Sequence, residues 1–187
     1  SIIPRGSAGG YTMSVPTEDK SYKTKNGMLD DIVVLLGGRV AEKLVLGDIS
    51  TGASNDIERA TKLAKSMVTE YGMSDRIGPV SYSSGSGEVF LGRDYGHAKD
   101  YSEAFAQEID EEISSIIHNG YDRTEKILTE HMDKLHELAQ YLIKYEKIDG
   151  DKFNQLMEGK LTEDIETPET LPTADEAKTD TDTEIIE

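Results

Sequence analysis

Few side chains in this sequence could do chemistry. There are four histidines, His97, His118, His131 and His136, and no cysteine. Histidine is the usual acid–base or metal-ligating residue near neutral pH. His97 stands in a Gly/Ser-rich stretch and His118 in a helical one. His131 and His136 are five residues apart, about 140° around a helix, whereas chelation from one helix needs a spacing of three or four. All four read as surface or boundary residues. Lack of cysteine excludes a disulfide framework, a thiolate metal site and a thiol nucleophile. No GxSxG elbow, GxxxxGK[ST] phosphate loop or HExxH helix occurs. The glycines of "SSGSGEVFLGR" lack the strand-turn-helix context of a phosphate loop, and the run Asp110, Glu111, Glu112 reads as a solvated helix face.

One carboxylate stands apart. In "STGASNDIERATKLA", Ser50 to Ala64, Asp56 falls where a small-residue loop turns into a patterned helix. One reading is capping: Asn55 and Glu58 have capping-box spacing, and Ser54 could serve as the cap itself. The other is a metal ligand, because a carboxylate in the first helical turn is electrostatically favoured and rigidly aimed. Spacing alone leaves both open and leans toward capping.

The elements that would position Asp56 follow from apolar periodicity. Leu29, Ile32, Val33, Leu36, Val40 and Leu44 repeat with a helical period over Met28 to Leu46, and Gly47 ends that helix. Gly37 and Gly38 lie inside it. Mid-helix glycines cost about 1 kcal/mol each relative to alanine, so another backbone is expected to pack closely there. A second helix starts near Ser54, carries Ile57, Ala60, Ala64, Met67, Val68 and Tyr71, and stops at Gly72. Residues 72–98 read as a long surface loop. A helical pattern of some forty residues runs from about Asp100, with a bend near His131 and Met132. A short closing helix follows, capped by Asp149 or Asp151. Before all of these, residues 1–24 read as one or two short strands joined by a Gly-rich turn. The expected fold is mainly α-helical, with a small β element at the N-terminus.

The 187 residues carry a formal charge of −17. Residues 161–187 hold ten Asp or Glu against Lys178, with few large apolar side chains, and are expected to be disordered. The expected division is therefore a folded unit over 1–159 and an acidic tail over 160–187. Nucleic-acid binding is not expected, because phosphate contacts need clustered Lys and Arg. The longest apolar run, Ile32 to Leu36, is too short to span a bilayer, and Ser1 reads as a cut edge with part of the polypeptide upstream.

Four segments then occur in order: "SIIPRG" with "GGYT", "LLGGRVAEKLVLGDISTGASNDIERAT", "MVTEYGMSDRIGP" and "GEVFLGR". Together they resemble the peptidase domain of the FtsH family, membrane-anchored ATP-dependent zinc metalloproteases, from Ser1 to about Gly159. The resemblance implies an FtsH-like peptidase helical bundle and a zinc held by two histidines of an HExxH helix plus a third ligand. The position that matches the third ligand is Asp56. Two imidazoles and one carboxylate leave the fourth zinc position open for a water. The HExxH helix with its general base would precede Ser1, so this chain is expected to hold no catalytic residue and to be inactive alone. The ATP-binding module and the transmembrane helices would lie further upstream. Also implied are protein or peptide substrates, unfolded or membrane-bound, a homo-hexamer, and attachment to a membrane with this domain on the cytoplasmic side. Glu42, in "GGRVAEKL", matches an acidic family position and is expected near the metal as a supporting or structural group; an exposed helix residue is the alternative. The N-terminal strand segment is a candidate lining of the substrate cleft. Two other functional readings are a non-catalytic helical assembly domain derived from such a protease and an acidic helical adaptor unrelated to proteolysis.

Overall fold

The computed structural model describes residues 1–6, 9–13, 22–82 and 102–161. They form five helices: α1 (Lys25–Leu46), α2 (Ser54–Thr69), α3 (Glu103–Glu130), α4 (Met132–Tyr145) and α5 (Gly150–Met157). The mainly helical expectation holds. His97, most of the expected loop and the tail beyond Leu161 lie outside the described residues.

Helix α1 starts three residues before its apolar pattern does, because the Thr24 hydroxyl accepts the Gly27 N–H at 3.1 Å. It ends at Gly47, which takes the left-handed conformation with φ 67° and donates its N–H to the Lys43 carbonyl. Met28, Ile32, Leu36 and Val40, four residues apart, are its buried face. Met28, Ile32 and Leu36 meet Ala60, Ala64 and Met67 of α2, while Ile113, Ile116, Ile117 and Tyr121 of α3 close the core. Beyond α2 the chain turns back at Gly72, where φ is +59° and a Cβ would stand 2.8 Å from Pro79 Cα. Only glycine fits that turn.

The close backbone approach expected at Gly37 and Gly38 is not made there: a Cβ at either would meet nothing within 4 Å. It occurs on α3 instead. A Cβ at Gly120 would lie 2.9 Å from Ile32 Cγ2 and 3.3 Å from Leu36 Cδ1. One turn on, the buried Thr124 hydroxyl bonds to the Gly120 carbonyl at 2.7 Å and reaches the Val33 carbonyl at 3.1 Å. Periodicity marks a helix's apolar face but not which partner's backbone comes nearest, hence the error.

Helix α3 breaks from α4 at His131, whose φ of −125° lies outside the helical range, matching the expected bend. Asp149, not Asp151, caps α5 through the Lys152 N–H at 2.9 Å. Tyr141 of α4 and Leu156 of α5 are buried; α4 and α5 pack on each other, and α4 also packs on α3. At the other terminus no strand forms among the described residues. Ser1 and Tyr11 exchange backbone hydrogen bonds of 2.9 and 2.8 Å, and Ile2 N–H bonds the Glu146 carbonyl at the end of α4. The rest of the expected β element, residues 14–21, lies outside the described residues. Among those residues no helix is long and apolar enough to cross a membrane.

The turn after α2 is fastened to α3 by charge. Arg76 Nη2 donates to Glu111 Oε2 at 2.8 Å, and the Ser74 hydroxyl to Glu112 at 2.8 Å. The Arg76 bond, helped by Gln107, holds the Glu111 carboxyl below its ordinary value.

Two measurements check this packing. Gly37→Ala should raise the stability of the chain by up to about 1 kcal/mol through helix propensity, whereas Gly120→Val should lower it by roughly 2 kcal/mol through overpacking; equal thermal shifts would contradict the seam. Because the Glu111 pKa is depressed in the folded state, its contribution is present above the ordinary value of 4.5 and lost as pH falls below it. The difference in midpoint between wild type and Glu111→Gln should therefore be measurable at neutral pH and shrink on acidification through that range.

Candidate metal centre

The loop between α1 and α2 is held from above by the polar side of α1. Arg39 and Glu42, one turn apart, both reach Ser50. Arg39 Nη1 donates to the Ser50 carbonyl at 2.9 Å. Glu42 Oε2 accepts the Ser50 N–H at 3.1 Å, and Glu42 Oε1 accepts its hydroxyl. The same hydroxyl oxygen accepts the Gly52 N–H at 3.1 Å. Every polar group of Ser50 is thus engaged. The two bonds from Ser50 pull the Glu42 pKa below its ordinary value, against a small opposing cost of desolvation.

From that fixed point the chain enters α2. Ser54 N–H bonds the Thr51 carbonyl at 3.1 Å and Ile57 N–H the Ala53 carbonyl at 3.0 Å. The residue at the cap position is Ala53, and no side chain caps the helix. The capping reading of Ser54 and Asn55 is corrected accordingly: the helix begins two residues earlier than the Asn55–Glu58 capping box would place it and one earlier than a Ser54 cap would, with alanine where the oxygen should be.

Asp56 is the third residue of α2 and the acidic group of its first turn. Its carboxylate is half-exposed, and its partner among the described residues is the Arg59 guanidinium, Oδ1 to Nη1 at 3.3 Å. Between exposed groups such a pair adds little, so the carboxylate has lone pairs to give. In donor chemistry Asp56 fits a single hard oxygen ligand. It does not make a site by itself: among the described residues no three His, Asp or Glu side chains are grouped to hold a metal. His131 sits at the α3–α4 junction, and His136 lies on α4, which does not touch α2. His118 Nδ1 faces the Ser114 carbonyl at 2.8 Å on the outer side of α3.

Between α1 and α2 runs an open groove of about 470 Å³, lined by Val34, Leu35, Leu63 and Tyr71 together with Lys23, Asp31, Arg59, Lys62 and Ser66; Arg59, the partner of Asp56, is the lining residue that links it to that carboxylate. Val34 is 76% exposed. Periodicity had placed α1 and α2 but missed Arg39 and Ser50, since the polar face of a helix carries no pattern that names its partners. The only signal was two opposite charges one turn apart, preceding a Ser-Thr-Gly loop.

Comparison with known proteins gives the site its context. The model for peptidase family M41 matches residues 1–156. The chain is 59% identical over 165 residues to the ATP-dependent zinc metalloprotease FtsH 1 of Thermoanaerobacter sp. (strain X514), covering 88% of this chain and 26% of the relative. It is 50% identical over 158 residues to the ATP-dependent zinc metalloprotease FtsH of Bacillus subtilis (strain 168), covering 84% and 25%. The chain thus spans about a quarter of the length of the curated relatives it matches. With nearly every described element inside the matched region, the chain belongs to peptidase family M41.

Proposed function

We propose that this chain is the C-terminal part of an ATP-dependent zinc metalloendopeptidase and that Asp56 supplies one of the zinc ligands. The observation that carries the proposal is the state of the Asp56 carboxylate: in the first turn of a helix with no side-chain cap, it is left to an exposed arginine. The names of the relatives support the reaction class. The remaining ligands and the general base come from a helix upstream, for which the groove between α1 and α2, with Val34, Leu35 and Leu63 among its lining and Arg59 linking it to Asp56, is a suitable seat.

Zinc, where bound, supplies a Lewis acid that brings the pKa of a bound water to about 7. The contribution of this chain is positional. The α2 backbone fixes the direction of the Asp56 side chain, and the first turn of a helix is an electrostatically favourable place for a negative group. Arg59 neutralises the carboxylate until it ligates. The wider assignments, also proposals, are unfolded and membrane-protein substrates delivered by an ATPase module, a homo-hexamer, and a membrane anchor elsewhere in the polypeptide with this domain on the cytoplasmic side. Folded boundaries at 1–159 with an acidic tail beyond are part of the same reading.

Asp56→Asn in the full-length protease separates ligation from a local structural role. Asn is isosteric and favours helix starts, but a neutral amide is a far poorer zinc ligand. Zinc content and peptide hydrolysis should fall together while the helical circular dichroism stays unchanged; wild-type zinc and activity would overturn the assignment. The chain alone should hold no stoichiometric zinc in equilibrium dialysis, since one carboxylate is not a site. One tightly held zinc per chain would move the assignment to His131 and His136.

A further inference from the structure

Two of the four asparagines in the chain precede a glycine, in the pairs Asn26–Gly27 and Asn119–Gly120. Glycine has no Cβ, so the side chain before it can reach its backbone nitrogen. In such a pair the glycine nitrogen gives up its proton and attacks the asparagine Cγ. The new N–C bond forms as the Cγ–Nδ2 bond breaks, ammonia leaves carrying the proton, and a cyclic imide remains. Water then adds to one of the two imide carbonyls and opens the ring, giving aspartate or its β-linked isomer, isoaspartate. We infer that Asn26 is a site of this spontaneous modification in the folded protein, with water as the only co-reactant, and that the fold protects Asn119.

The attack requires the backbone between the two residues to swing out of the helical range, and what resists that swing differs between the pairs. Asn26 is the second residue of α1 and is exposed. Its side chain has no partner among the described residues. The Gly27 N–H is held by one bond, to the Thr24 hydroxyl at 3.1 Å, and the first bond of the helix proper is Met28 N–H to the Thr24 carbonyl. Opening this one turn frees the nucleophile, and helix ends open at little cost. Asn119 is exposed too, but it lies deep inside α3. Its amide bonds the Ser115 hydroxyl, one turn back, at 3.4 Å. Gly120 is packed against Ile32 and Leu36, and Thr124 pins the same turn to the Val33 carbonyl. Freeing that nitrogen requires α3 to leave α1, which amounts to opening the core.

The two products act on α1 in opposite ways. Its first turn holds no acidic residue, so aspartate at this position adds a favourable charge to the helix start. Isoaspartate carries the chain through one more backbone carbon. That displaces Gly27 from the Thr24 hydroxyl and loosens the turn leading to Met28 in the core.

The test incubates the full-length protease at mildly alkaline pH and follows both pairs by peptide mass spectrometry, which reads the exchange of an amide nitrogen for oxygen. The same protein in urea gives each pair its own reference rate. Relative to those references, Asn26 in the native protein should convert at least about tenfold faster than Asn119, a difference in opening of about 1.4 kcal/mol. Thr24→Ala should speed Asn26 about fivefold, the equivalent of about 1 kcal/mol of lost cap, and leave Asn119 unchanged. Should Thr24→Ala speed both positions, it has opened the whole core, and the wild-type comparison decides alone. Native Asn26 that stays intact while the protein in urea converts overturns the inference. So do equal relative rates at Asn26 and Asn119 in the native protein, and a Thr24→Ala rate at Asn26 no faster than wild type.

Discussion

The crossing of α3 over α1 at Gly120 carries the rest of the domain. The Ile32 methyl occupies the space a side chain on residue 120 would need, and the Thr124 hydroxyl bonds a carbonyl of the opposing helix. Close approach of this kind has two effects. It lets the Ile113, Ile116, Ile117 and Tyr121 side chains reach past the contact into the core, and it fixes the rotation of α1 about its own axis. With that rotation fixed, Met28, Ile32, Leu36 and Val40 face α2 and α3, and Arg39 and Glu42 are turned toward the α1–α2 loop.

Helix α1 therefore works on two sides. One buries carbon, and the stabilisation scales with area, about 25 cal/mol per Å². The other holds a loop by directed hydrogen bonds, whose value lies in geometry more than in energy. Rotation by one residue would cost the first side part of its burial and the second side all of its bonds. The loop is the less forgiving of the two, and it leads to the carboxylate of interest.

How much of this was legible in the sequence differs by element. The four longer helices were readable because each places apolar residues at helical spacing over three or more turns, and the break at His131 coincides with the end of one such run. The start of α1 was missed because a threonine cap lies outside the pattern. Gly120 was not singled out, whereas Gly37 and Gly38 were, although glycine in any of the three costs a helix the same entropy. What differs is the partner backbone, a tertiary fact. Asp56 was identified by family motif and not by spacing, which favoured a cap that the structure replaces with Ala53. Ser50 and Arg39 were illegible for a related reason: polar residues on a helix face become meaningful only once the loop they touch has been placed.

The contact between Thr124 and Val33 joins residues 91 apart in sequence, and this separation bears on how the chain reaches its structure. The α1–α2 and α4–α5 pairs are hairpins of neighbouring helices and close short loops. The α1–α3 seam closes a long one, at an entropic cost on the order of 4 kcal/mol beyond a constant. The seating of Gly120 against Ile32 offsets part of that cost, together with the ties from Ser74 and Arg76 to α3. The hairpins can form early and separately, each on the microsecond scale of local helix pairing. Docking of α3 on α1 is therefore the step that closes the longest of these loops, and a chain with the hairpins formed but α3 undocked lacks the long-range half of its core.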